Sequence, residues 1–313
     1  MEVIDSILIA SQAALIVAVA PLIAGVIRKL KALMQSRKGP DIVQPYRDLY
    51  KLFRKESVVS EDASWIFRVT PYVCMGAVMV AALMVPAFIT RSLGFVGDLI
   101  VVVYMLGMMR FFMALAALDT GSAFGGMGSS REMTISAIAE PTMLLSIFTL
   151  ALIAGTTSLG DISSQLALNG PELVRPALFL AFAALFIATL AENARVPVDN
   201  PATHLELTMI HEGMILEYSG KPLALMELSA MTKLSLFLAI LASVFIPWGI
   251  ATTADVTGIA IGIVVLLAKM LAMAATIAFI ESSMAKMRLF RVPNLLTVSF
   301  TLGLLAVMSY YIL

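Results

Sequence analysis

The chain has 313 residues, of which 60% are hydrophobic and 13% charged, and its mean hydropathy is +0.96. That composition describes a polytopic membrane protein, since apolar runs of about 20 residues cross a bilayer as helices that bond their own backbone groups. The formal net charge is zero, and the single cysteine, Cys74, excludes an intrachain disulfide and any multi-cysteine metal or iron–sulfur centre, so any redox cofactor belongs to a partner.

Eight apolar segments follow in chain order: 4–27, 69–90, 96–118, 133–155, 176–192, 223–249, 257–280 and 295–312. The expected fold is therefore all-α, a single integral membrane domain over 1–313 with about eight transmembrane helices. The first segment reads as a retained span rather than a signal peptide, because basic residues follow it and no small-residue cleavage pattern is present. Sixteen basic residues outside the segments fall on one side, ten of them between Arg28 and Arg68, while Arg91 and Arg175 lie on the other. The positive-inside rule then puts both termini outside and the basic loops in the cytoplasm.

The first basic loop contains Ile42, Tyr46, Leu49, Tyr50 and Phe53 at helical spacing, with Arg47, Asp48, Lys51, Arg54 and Lys55 between them. This predicts an amphipathic surface helix over about 41–56. It serves either to rest on anionic headgroups or to dock a peripheral partner. The turn Ser36-Arg37-Lys38-Gly39-Pro40 precedes it. Arg110, in the third segment, has two open readings: a side chain that snorkels to the cytoplasmic edge, or a buried pair with an acid. Asp119 to Glu132, with four glycines, reads as a short loop that is tightly folded or lets another backbone approach closely. It does not match a phosphate-binding loop, having no preceding strand and no Gly-Lys-Ser/Thr.

Glu140-Pro141 lies about two turns inside the fourth segment, Glu227 and Lys233 lie in the sixth and Lys269 in the seventh. A charge near mid-bilayer costs roughly 3 kcal/mol, so such groups mark ion or proton paths or pair with one another. The most polar stretch is Glu192–Lys221, a cytoplasmic loop with five acids, two bases and both histidines. His211-Glu212 opens like a zinc protease motif, but Ile215 stands where the second histidine would be. Ser219 has no nucleophile-elbow context. Proton handling or long-range coupling remains, and Glu192 and Asp199 bracket Arg195 as a candidate ion-pair cluster.

Glu192-Asn193-Ala194-Arg195-Val196-Pro197-Val198-Asp199, followed by Glu206-Leu207 and Glu217-Tyr218-Ser219-Gly220, resembles the loop of the respiratory complex I subunit 1 family, and Arg37-Lys38-Gly39-Pro40 resembles its first-loop signature. Tyr46-Arg47-Asp48, Leu118-Asp119-Thr120-Gly121-Ser122, Ser130-Arg131-Glu132 and Glu140-Pro141 are more similar to the membrane subunit of the energy-converting (group 4) hydrogenases within that family. The resemblance implies a non-catalytic subunit of an oxidoreductase complex in the cytoplasmic (inner) membrane. It would join hydrogenase large and small subunits and an iron–sulfur subunit to antiporter-like membrane subunits. The nickel–iron centre and iron–sulfur clusters would lie in those partners, none in this chain, and electron transfer would drive proton or sodium movement. The implied coupling residues are Glu140, Glu192, Arg195, Asp199, His204, Glu206, Glu212, Glu217, Glu227, Lys233 and Lys269; the implied docking residues are Arg37, Lys38, Arg47, Asp119, Arg131 and Glu132. Relatives in complex I carry acids where this chain has Ala202 and His204, and the resemblance implies that His204 would stand in for a carboxylate as the titrating group. Two alternatives stand beside this reading: the quinone-site subunit of a complex I-like dehydrogenase, and a stand-alone secondary transporter, for which no inverted repeat is visible.

Overall fold

A computed structural model describes residues 3–93, 98–168, 175–200, 209–253 and 255–312. Those residues are helical almost throughout: α1 (Val3–Met34), α2 (Gln44–Arg54), α3 (Trp65–Met84), α4 (Asp98–Asp119), α5 (Ala123–Ala154), α6 (Leu159–Leu168), α7 (Pro176–Glu192), α8 (His211–Ile215), α9 (Gly220–Ile240), α10 (Val256–Ser283) and α11 (Val292–Ile312). Seven of these, α1, α3, α4, α5, α9, α10 and α11 with their terminal turns, are long and apolar enough to cross a membrane. The eighth apolar helix, α7, has 17 residues and spans about 26 Å, the lower limit for a crossing.

The ends of α1, α4, α7 and α10 and the beginnings of α3, α5, α9 and α11 gather at the end of the bundle that carries the basic residues. α2 lies against α1 and α9 there, burying Pro45 and Leu49 while Tyr50 and Phe53 stay exposed. Its Tyr46 hydroxyl donates to the Ala18 carbonyl of α1. The stretch expected as a loop after the third span is largely helix instead. Ser122 accepts a hydrogen bond from Gly125 N (3.1 Å) and caps α5, which already runs through Gly125, Gly128 and Glu132. Close backbone approach is what those glycines serve: a Cβ on Gly125 would lie 2.4 Å from the Ala117 carbonyl oxygen of α4.

At the opposite end the chain is irregular after α3, where Val85, Ala87 and Ile89 are buried without a helix. Such backbone is tolerated inside a membrane protein only when other groups satisfy it. Gln12 of α1 accepts from Ala87 N (2.6 Å) and donates to the Arg91 carbonyl (2.7 Å), and Thr90 N donates to the Ala251 carbonyl (3.0 Å). Asp98, fully buried, accepts from Leu159 N with both oxygens (3.0 and 3.1 Å) and so caps α6.

Candidate functional site

The site begins where α7 stops. Its helix ends in a Schellman motif: Ala194 N donates to the Ala191 carbonyl (3.2 Å) and Arg195 N to the Leu190 carbonyl (2.8 Å), with Ala194 left-handed at φ 49°. The chain then turns on itself, Val198 N and Asp199 N donating to the Arg195 carbonyl (2.9 and 3.2 Å), and Pro197 accepts from Met287 N (2.8 Å). Val196, Val198 and Asp199 are buried. The first part of the polar stretch is therefore packed into the bundle rather than lying over its surface.

That recess delivers Glu192 to the interior. Arg110, roughly 13 Å along α4 from its basic end, donates to Glu192 Oε1 and to Glu140 Oε1. Lys233 of α9 lies 2.9 Å from Glu192 Oε2. Arg110, Glu192 and Lys233 are at most 4% exposed, whereas the Glu140 side chain is 41% exposed. Of the two open readings for Arg110, the buried ion pair is the one the fold adopts. Glu132 is also inside, at 5% exposure, with Lys233, Glu192, Arg110 and Asp199 as its charged neighbours. Its expected place on a docking surface is corrected accordingly: the longer α5 carries it below the surface.

A second network lies nearer the basic end. Arg195 pairs with Glu281 of α10 (3.3 Å), which also pairs with Lys31 of α1 (3.1 Å). Asp199 pairs with Lys286 (2.6 Å) and accepts from Asn200 N (2.8 Å) and His211 N (3.4 Å). The expected Glu192–Arg195–Asp199 cluster is thus replaced by three separate pairings, because the turn after Ala194 points the three side chains in different directions. Burial first, then the Lys233 and Arg195 charges, pull the His211 imidazole down to about 4, against the opposing Asp199 carboxylate.

The other sequence candidates are more dispersed. Glu227 has Arg28 and Asp48 as charged neighbours, near α1 and α2. Lys269 donates to the Ala242 (3.3 Å), Ile246 and Trp248 carbonyls and closes the end of α9; the fold does not bring it to the Arg110 cluster. Glu212 is partly buried and Glu217 exposed, while His204 and Glu206 lie outside the described residues. Of the docking candidates, Arg37 and Lys38 are exposed, and Arg47 is exposed beside Asp41 (3.3 Å). Asp119 accepts from Ser64 N (2.8 Å) at the start of α3, and Arg131 donates to the Met209 carbonyl (2.9 Å). Tyr218-Ser219-Gly220 is a structural joint: Tyr218 stacks on Phe67 with ring centroids 3.9 Å apart, Ser219 bonds both backbone groups of Val58 (2.8 Å each), and a Cβ on Gly220 would lie 2.5 Å from the Glu56 carbonyl oxygen. Lys31, Glu281 and Lys286 do not stand out in the sequence. Their one signal is position, since each sits in or just after the last turn of a span facing the polar stretch.

Residues 6–311 match the family described as NADH dehydrogenase. Formate hydrogenlyase subunit 4 of Escherichia coli K12 is 35% identical over 95% of this chain and 96% of its own length. Hydrogenase-4 component C of the same organism is 36% identical over 95% and 93%. A subunit of the NADH-quinone oxidoreductase of Rubrobacter xylanophilus is 27% identical over 70% and 68%. In fold, the chain is similar to one from the membrane-bound sulfane sulfur reductase, an archaeal respiratory membrane complex, with a TM-score of 0.78 at 20% identity, covering 96% of this chain and 99% of that one.

Proposed function

The chain belongs to the NADH dehydrogenase family that includes complex I subunit 1, and on that premise we propose that it is the membrane anchoring and coupling subunit of a hydrogenase-type respiratory complex. The observation that carries this reading is the chain of ionisable groups inside an otherwise apolar bundle, from Asp199 and Arg195 near the basic end to Glu192, Arg110, Lys233 and half-exposed Glu140. Charges at such depth are costly and mark ion or proton pathways. One cysteine supplies no multi-cysteine iron–sulfur site, and in this reading electrons run through a partner arm. That arm consists of hydrogenase large and small subunits with a nickel–iron centre and an iron–sulfur subunit. Arg37, Lys38 and Arg47 dock it on the cytoplasmic face, and both termini face outward across the inner membrane. Antiporter-like membrane subunits receive the coupled proton or sodium movement.

The coupling step asked of this chain is electrostatic. Arg110 holds two carboxylates, and Lys233 shares one of them, so a change in charge near Asp199 or His211 shifts which pairing is favoured. A tagged chain isolated from native membranes in mild detergent tests the assembly. Co-isolation with subunits containing nickel and iron–sulfur clusters is expected. Isolation as an active monomer, or with a quinone-reducing arm instead, would falsify the assignment.

A further inference from the structure

The interior cluster contains two cations, Arg110 and Lys233, against three carboxyl groups, Glu132, Glu140 and Glu192. Glu140 and Glu192 each contact a cation directly. Among the described residues Glu132 forms no ion pair, although it is 5% exposed. Among the described residues the two cations contact Glu140 and Glu192, and Glu132 is the buried carboxyl that contacts neither. A buried carboxylate in that position is costly, and the cost is relieved by a proton.

Glu132 also has a defined place between the two networks. One residue earlier, Arg131 donates to the Met209 carbonyl (2.9 Å). One turn earlier, a Cβ on Gly128 would lie 2.8 Å from the Ile210 carbonyl oxygen. This part of α5 is therefore pressed against the segment that leads into His211, whose backbone amide bonds Asp199 (3.4 Å). The charged groups that act on Glu132 are Arg110 on α4, Glu192 on α7, Lys233 on α9 and Asp199 on the connection after α7, and α8, packed against α5, carries His211 and Glu212. The packed α11 contributes none, having no Asp, Glu, Lys or Arg between Val292 and Ile312.

We propose that Glu132 is the proton-carrying residue of the buried cluster, taking a proton from the side of the Asp199 carboxyl and passing it to the Glu192 carboxylate that Arg110 and Lys233 hold. The step is a proton transfer alone: the carboxylate takes up one proton and releases the same proton, with no electron or carbon bond involved. The inference rests on the coupling reading above for its purpose, but its central claim concerns the carboxyl itself.

The experiment uses the complete complex in native membranes and in purified form, with wild type, Glu132→Gln, Glu132→Asp and Glu192→Gln. Infrared pH-difference spectra of the purified complex are expected to show a protonated-carboxyl band that Glu132→Gln removes and Glu132→Asp shifts. In inverted vesicles, ion translocation per electron transferred is expected to fall about a hundredfold in Glu132→Gln, the lower end of what a positioned proton-transfer group contributes, with partial recovery in Glu132→Asp. An infrared band unchanged by Glu132→Gln overturns the proposal. So does normal translocation in Glu132→Gln where Glu192→Gln abolishes it. If both variants translocate normally, the coupling role of the chain falls instead, and the infrared band still decides whether Glu132 exchanges a proton.

Discussion

A guanidinium 2% exposed needs its charge answered at contact, and Arg110 is answered by Glu140 and Glu192. Breaking a buried pair from one side costs about 3–5 kcal/mol, chiefly because the partner charge is stranded. Arg110→Leu is therefore expected to lower stability in detergent, by less than that figure because Glu140, the partner left unpaired, is 41% exposed. Arg110→Leu combined with Glu140→Leu should lose less than the single change, since Glu192 then keeps Lys233 in a neutral pair. Thermal melts of the two variants check it; a larger loss in the double variant would show that Glu140 is not the stranded partner. His211 supplies a pH test. Its folded-state pKa of about 4 lies below the ordinary value of 6.5, so on acidification the unfolded chain binds a proton first. Its contribution to stability is complete above 6.5 and is lost as pH falls towards 4. Melting temperature against pH should fall less steeply across that window in His211→Asn than in wild type, and parallel curves would remove His211 as a cause.

Among the elements, α7 is the one whose length matters most. Its termination at Glu192 leaves a carboxylate inside the bundle, where a further turn of helix would have carried the chain past Arg110 and Lys233. The stop depends on a left-handed residue, and the sequence places alanine there. A Cβ in that conformation costs about 1–2 kcal/mol, while glycine loses about 0.5–1 kcal/mol in unfolded-chain entropy. Ala194→Gly is accordingly expected to raise stability by a few tenths to about 1 kcal/mol, read as a higher melting temperature. A lower one would mean that the Ala194 methyl contributes packing beyond its conformational cost. α5 makes the converse point: by starting at Ala123 it turns an expected surface loop into a helix, and Glu132 moves from the docking face to the interior.

At the scale of the whole molecule, a helical membrane bundle is legible in the sequence because lipid allows the backbone few solutions, and runs of apolar residues record where each span lies. The segment over 176–192, the surface helix within 41–56 and the concentration of charge after Glu192 are likewise visible, since each depends on local pattern alone. Which acid meets which cation is not. Glu192 and Arg195 are three positions apart in the chain, yet one pairs with Arg110 and Lys233 and the other with Glu281. Those partners lie on α4, α9 and α10, and no periodicity within a segment encodes how separate helices rotate against each other. Composition and local pattern were enough to set the class of molecule, its spans and its stock of charged residues. The pairings came only with the packed bundle, because a buried charge takes its partner by proximity in three dimensions once the helices have met.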